Sequence, residues 1–186
     1  RDPLILKAID DVRKKLRLGV RAPGEIVDPS GILNEMRTIK TGEEIAILRR
    51  AATITAEGHR AAMQAVRPGM REYEVEAIVE YVFRRRGAAG PGYTTITGSG
   101  VNATILHYVE NDAVCRDGDL LLIDAGAEVE GYTADITRTF PVSGRFTAEQ
   151  RAVYGIVLAA ERAGVAKARA GNRFDVARRG AAPELA

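Results

Sequence analysis

From Leu120 to Val142 the chain reads LLLIDAGAEVEGYTADITRTFPV, two apolar strand-like runs joined by a turn near Glu130 and Gly131. A period of two in each run makes this a β-hairpin and commits its surroundings to antiparallel sheet. Asp124 and Asp135 lie in it, eleven positions apart. A turn centred between Val129 and Glu130 places them directly opposite, with Cβ atoms roughly 5 Å apart. A turn centred on Glu130-Gly131 places them diagonally. Either register keeps both carboxylates on one face, because side chains alternate with period two. Two like charges that close repel unless a proton or a cation lies between them. Asp124 also follows Leu120-Leu-Leu-Ile123, where burying a carboxylate without a partner is costly. A divalent cation bound by both aspartates answers this, and a pair of turn or capping carboxylates is the bland alternative.

The rest of the chain supplies helices to cover such a hairpin. Asp2-Pro3 forms an N-cap and first turn, and Leu4, Ala8, Ile9, Val12 and Leu16 recur at helical spacing until Gly19. Pro23, Gly24 and Pro29 then mark a linker. The reading is a last helix of a preceding domain over 1–19, a linker over 20–37 and a second domain over 38–186. Thr41-Gly-Glu-Glu44 is a capping-box pattern, and Ile45, Leu48, Ala52, Thr55, His59, Ala62 and Val66 carry an apolar face as far as Pro68-Gly69. A further helix covers 71–86, with Val75, Ile78, Val79 and Val82 inward. From Pro91 the period changes: a strand over 92–97, a turn at Gly98-Ser-Gly100, a strand over 104–108, a polar turn through Arg116-Asp-Gly118, then the hairpin. A second capping box, Thr147 to Gln150, opens a helix that runs through Ala170, whereas Gly180 and Pro183 interrupt any helix beyond Phe174. Antiparallel strands covered by helices make the fold α+β rather than a doubly wound sheet.

Composition narrows the function. A net charge of +2 over 186 residues implies no polyanion partner, so nucleic acid is not expected. Arg84-Arg85-Arg86 closes a helix that opens with Glu72, Glu74 and Glu76, which is dipole complementation. The single cysteine, Cys115, excludes an intramolecular disulfide and fits a reducing, cytoplasmic setting; with no histidine beside it, it reads as structural. No apolar run approaches the roughly 20 residues that span a bilayer, and no signal-peptide core is present, so no membrane partner is expected. The chain begins with Arg1, as an excerpt or a processed product would. Gly98-Ser-Gly100 lacks the Gly-Lys-Ser/Thr of a phosphate loop, and Ser99 lacks the nucleophile-elbow pattern. His59, on an apolar stripe with no ligand-type residue at i+4, reads as a hydrogen-bonded packing histidine. His107, among Ile105, Leu106 and Tyr108, reads equally as a proton relay beside a metal-bound hydroxide, a donor to a substrate carbonyl, or a structural residue.

Several segments together resemble one family. GDLLLIDAGAEVEGYTADITRTFPVSGRFT (118–147) is similar to the metal-site hairpin of aminopeptidase P, or Xaa-Pro aminopeptidase, among the pita-bread metallopeptidases. ITGSGVNATILHYVEN (96–111) resembles the segment before that hairpin, and NEMRTIKTGEEIAILRRAATIT (34–55) the entry to the catalytic domain. The likeness extends to about Asn172; methionine aminopeptidases share the paired aspartates but resemble the Thr137 to Val142 stretch and the leading linker less.

The resemblance implies the first half of a pita-bread domain that hydrolyses the bond between an N-terminal residue and a following proline. In that family a hydroxide bridging two divalent ions, usually Mn2+, attacks the scissile carbonyl. Asp124 then matches the bidentate aspartate, Asp135 the one spanning both ions, and His107 the histidine that contacts substrate. The implied partners are peptides with proline in second position. The family completes its metal site with a histidine and two glutamates from the second half of the domain, and this chain ends before them. The expectation is a truncated or diverged tail, a chain inactive or very weakly active alone, and unpaired sheet edge and apolar surface that make it marginal, aggregating or homo-oligomeric. A prolidase-type Xaa-Pro dipeptidase, which shares the hairpin, is the alternative enzyme, and a non-catalytic pita-bread binding module the alternative of another class.

Overall fold

The computed structural model describes residues 3–25 and 27–181, and its contacts divide the chain into two units, Arg1–Thr41 and Gly42–Ala186. The N-cap expected at Asp2 and the interruption expected at Pro183 lie outside the described residues. In the first unit, helix α1 (Pro3–Arg13) is followed by a 3-10 turn, Leu16–Leu18. Gly19 closes that turn at φ 78, its N–H donating to the Leu16 carbonyl at 3.0 Å. The span 20–37 is not all linker: α2 occupies Ser30–Thr38. The Asp28 carboxylate starts it, accepting from the Ser30 amide at 2.9 Å and the Ser30 hydroxyl at 2.5 Å.

The second unit is built on two helices whose buried residues follow the helical period. Helix α3 (Gly42–Ala65) buries Ala51, Ile54, Thr55, Gly58, His59 and Ala62, and α4 (Glu72–Arg85) buries Glu72, Val75, Val79 and Phe83. A Cβ on Gly58 would stand 2.8 Å from the Phe83 ring, so glycine is what lets α4 approach. The arginine run serves the end of α4. Arg84 donates to the Ala88 and Ala89 carbonyls, and Arg86 pairs with Glu57 at 2.7 Å.

The strands are β1 (Gly90–Pro91), β2 (Ile96–Ser99), β3 (Leu120–Ala125), β4 (Ala127–Val129), β5 (Tyr132–Thr133) and β6 (Ile136–Pro141). They form two three-stranded antiparallel sheets, in the orders β1-β4-β5 and β2-β3-β6. On β3, Leu121, Ile123 and Ala125 are fully buried and join the core of α3 and α4, while Leu120, Leu122 and Asp124 alternate onto the other face. The fold is therefore α+β, antiparallel strands covered by helices. Three local expectations are corrected. Only Ile96 and Thr97 of the 92–97 stretch are strand. Gly98 and Ser99 continue β2 instead of turning, and the turn begins at Gly100. Residues 104–108 are not a strand: a 3-10 helix covers Gly100–Thr104 and a turn follows, with Ile105 and Leu106 exposed rather than packed on a sheet face.

The Thr147 capping box opens α5 (Ala148–Lys167), with Gln150 N donating to the Thr147 hydroxyl at 3.2 Å and Thr147 N to the Gln150 side chain at 3.0 Å. Gln150 also donates to the Gly118 carbonyl at 2.9 Å, tying α5 to the turn before β3. A helix does follow, α6 (Phe174–Ala181), contrary to the sequence expectation. Asp175 stands in its first turn and pairs with Arg179 at 3.0 Å, while Gly180 falls near its end, where poor helix propensity costs little. Among the described residues no helix is long and apolar enough to cross a membrane.

Candidate metal centre

The hairpin turn settles the register. Val129 pairs with Tyr132, leaving Glu130 and Gly131 as a two-residue loop at φ 53 and φ 81. Positive φ at both positions is the type I′ hairpin turn, whose twist matches that of the strands. Asp124 therefore pairs with Thr137, and Asp135 stands diagonally across, the second of the two arrangements that keep both carboxylates on one face. Asp124 is half-buried and Asp135 exposed.

Between the two aspartates the ladder breaks. The β3/β6 pairing ends at Ala125 with Ile136, and pairing resumes at Glu128 with Thr133, now in the other sheet. Gly126 lies in the gap. A Cβ there would stand 1.6 Å from the Ala134 carbonyl oxygen and 3.0 Å from the Tyr93 ring, so no other residue fits without moving backbone. Three bonds stitch the gap, one of them main chain to main chain between the arms, from Ala134 N to the Ala127 carbonyl at 3.2 Å. Gly92 N donates to the Gly126 carbonyl at 2.9 Å, and Ala127 N donates to the buried Thr55 hydroxyl of α3, also at 2.9 Å.

This packing delivers a residue the sequence did not single out. The Tyr93 hydroxyl lies 2.5 Å from Asp124 Oδ1 and 3.3 Å from Asp135 Oδ1, in reach of both carboxylates. Burial raises its pKa far above the usual phenol value, and the hydrogen bond to Asp124 and the charges of Asp124 and Asp135 push the same way. Tyr93 thus keeps its proton and donates it to the pair. It lies between β1 and β2, in a stretch whose sequence reads as strand and carries no signal for a site.

Behind the pair, His59 is buried as expected, but neither ring nitrogen has a close hydrogen-bond partner among the described residues. Of the bonds expected for a packing histidine, only loose ones to the backbone of Ile136 and Ala125 are present. Burial lowers its pKa, partly offset by the backbone of Ile136 and Ala125, so the ring packs as a neutral group. His107 sits in the turn after the 3-10 helix, exposed, at φ 57. Its ring has no hydrogen bond or ion pair among the described residues. Cys115 is fully buried and unpaired, and burial pushes its thiol up, away from the reactive thiolate.

As a donor set, two carboxylates on one face suit a hard divalent cation and relieve their own repulsion by binding it. Among the described residues no third histidine, cysteine or carboxylate joins them in a ligand cluster. Asp135 also opens onto a groove of about 960 Å³ between β6 and α5, lined by Thr137, Arg138, Val153, Val157 and Glu161.

The family profile of Metallopeptidase family M24 matches residues 46–181. An Xaa-Pro aminopeptidase of Escherichia coli (strain K12) is 52% identical over 157 residues, which is 84% of this chain and 36% of that protein. An Xaa-Pro dipeptidase of Homo sapiens is 44% identical over 134 residues, 69% of this chain and 27% of that protein. Among solved structures, a variant of Escherichia coli aminopeptidase P in complex with substrate superposes with a TM-score of 0.93 at 45% identity, covering 97% of this chain and 41% of that one. The chain thus spans about a third of the length of the curated relatives it matches. These likenesses match a partial pita-bread domain.

Proposed function

Because this chain belongs to metallopeptidase family M24, we propose that it is the part of a proline-specific aminopeptidase that supplies two aspartate ligands and a substrate-facing histidine. The observation that carries the reading is the Asp124 and Asp135 pair, set on one hairpin face and shared by the Tyr93 hydroxyl. Asp124 and Asp135 would hold two divalent ions, Mn2+ in the first instance, together with ligands from further sequence. Such ions supply Lewis-acid polarisation of a carbonyl and a water of lowered pKa. The chain's own residues do the rest. Tyr93 fixes the orientation of the Asp124 carboxylate by a short charge-assisted bond. His107 is exposed on its turn and, on this reading, would contact the peptide. Xaa-Pro peptides are the proposed substrates, since relatives of both names act on proline-containing peptides by their descriptions. A reducing, cytoplasmic setting fits the one buried free thiol, and residues 1–19 fit the tail of a preceding domain.

A dipeptidase is the second reading, favoured by the human Xaa-Pro dipeptidase likeness. The test uses the longest polypeptide in which these residues are expressed, with Mn2+, on an Xaa-Pro dipeptide and an Xaa-Pro tripeptide. Cleavage of the tripeptide, and a loss of at least about 1,000-fold in kcat/KM for Asp124→Asn or Asp135→Asn, is the expected result. Cleavage of the dipeptide alone selects the dipeptidase; full activity in both aspartate variants removes the proposed site. No turnover in any form favours the non-catalytic binding module. The 186 residues by themselves are expected to show none, because among the described residues two ligands stand alone.

A further inference from the structure

Glu72 is the first residue of α4 and fully buried, yet it has no ion-pair partner among the described residues. Its carboxylate is held by four donors instead. Oε1 accepts from Ser99 N at 2.6 Å and Asn102 Nδ2 at 3.1 Å. Oε2 accepts from the Tyr108 hydroxyl at 2.8 Å and Ala113 N at 2.9 Å. The Glu72 amide in turn donates to the Ala113 carbonyl at 3.0 Å. All four donors come from one connection, the segment that leaves β2 at Ser99 and carries His107. Asn102 Nδ2 also donates to the Tyr108 hydroxyl at 3.0 Å, closing a triangle of Glu72, Asn102 and Tyr108 around the 3-10 turn.

His107 lies between these anchors in the left-handed region, φ 57. A non-glycine residue there costs on the order of 1 kcal/mol and persists only where its surroundings leave no alternative. The surroundings are its neighbour: Tyr108 is buried, and burial followed by the Glu72 bond pushes its phenol up to about 12, so it remains a donor at any pH suited to a peptidase. With Tyr108 turned inward onto Glu72, the intervening backbone leaves His107 pointing out. A carboxylate with four donors is the one side chain of this size that can accept from two backbone amides, an amide side chain and a phenol at once. An apolar replacement would strand the Ser99 and Ala113 amides.

We infer that Glu72 is the positioning residue for His107, acting through Tyr108 and Asn102 to fix the turn from which the imidazole projects; this rests on the reading of His107 as substrate-facing. Two variants test it. Tyr108→Phe removes one hydroxyl and keeps the ring, and Glu72→Gln keeps the volume but puts an amide donor where only acceptors fit. Amide hydrogen exchange of the 186-residue chain should speed up at residues 101–108 by at least about tenfold in Tyr108→Phe, relative to α3. Val79→Ala, which weakens the α3/α4 core without touching the loop, should lack that selectivity. In the active peptidase, Tyr108→Phe should lower kcat by about tenfold with KM nearly unchanged, and should add nothing to His107→Ala. Unchanged loop exchange in both variants overturns the inference, as does a loss that adds fully to that of His107→Ala. Full activity of His107→Ala overturns the reading of His107 and this role of Glu72 with it. The exchange measurement, which needs no turnover, tells that outcome from failure of the clamp itself.

Discussion

Gly126 is the position where the site and the fold make the same demand. The Ala134 carbonyl occupies the space a side chain would need, and being backbone it cannot swing aside. Gly126→Ala is expected to cost more than about 3 kcal/mol or to prevent folding, measured by urea denaturation; a loss under about 1 kcal/mol would mean the strands at the gap separate easily. At this scale Asp124 and Asp135 were legible beforehand, since both plausible turns keep an eleven-residue pair on one face. Tyr93 was not. Its approach depends on what is missing elsewhere: a side chain at Gly126, under its ring, and one at Gly92, where a Cβ would stand 2.3 Å from the Thr133 side chain. His59 was legible as buried from helical spacing, but its loose contacts with the backbone of Ala125 and Ile136 depend on where β3 and β6 come to lie. Glu72 read as a helix-end charge, because four donors drawn from a loop leave no periodic trace.

Elements with a clear period were read well, and those without were not. The hairpin, α3, α4 and the capped α5 follow from alternation, helical stripes and capping boxes. The short apolar run at Ile105 and Leu106 looked like a strand because apolarity implies burial. Instead both are exposed, on a turn whose inward anchor is Tyr108. Helix α2 was hidden by the prolines and glycine before it, although Asp28-Pro29 is itself a helix-start signal. The hairpin turn carries its own prediction. Glu130 takes φ 53, which asparagine tolerates better, and Asn-Gly is the favoured type I′ pair. Glu130→Asn should stabilise the chain by about 0.5 kcal/mol, seen as a higher unfolding midpoint. The Arg50 ion pair it forgoes is 3.5 Å long, with both partners more than half exposed, and is worth little. A lower midpoint would show that this pair matters more than the turn.

At the scale of the whole molecule, the unit Gly42–Ala186 presents apolar surface it does not cover. Val153, Ile156 and Val157 are 62%, 49% and 54% exposed, at helical spacing on α5, and Val153 and Val157 line the groove beside Asp135. Contiguous apolar surface of this kind drives association. Sedimentation of the 186-residue chain should therefore show concentration-dependent self-association, and Val153→Glu with Val157→Glu should suppress it. A monomer at all concentrations would count against this. The broken ladder at Gly126 has a different bearing on cohesion. Where a hairpin is laced throughout by main-chain bonds, its cohesion is a constant of the chain. Here the pairing lapses between Asp124 and Asp135, a single main-chain bond from Ala134 N to the Ala127 carbonyl crosses at 3.2 Å, and the two aspartate side chains and one phenol supply the rest of the tie. A tie made by side chains can be completed by a solute, and on the metal-centre reading how firmly these two strands hold together becomes a function of what is dissolved around them.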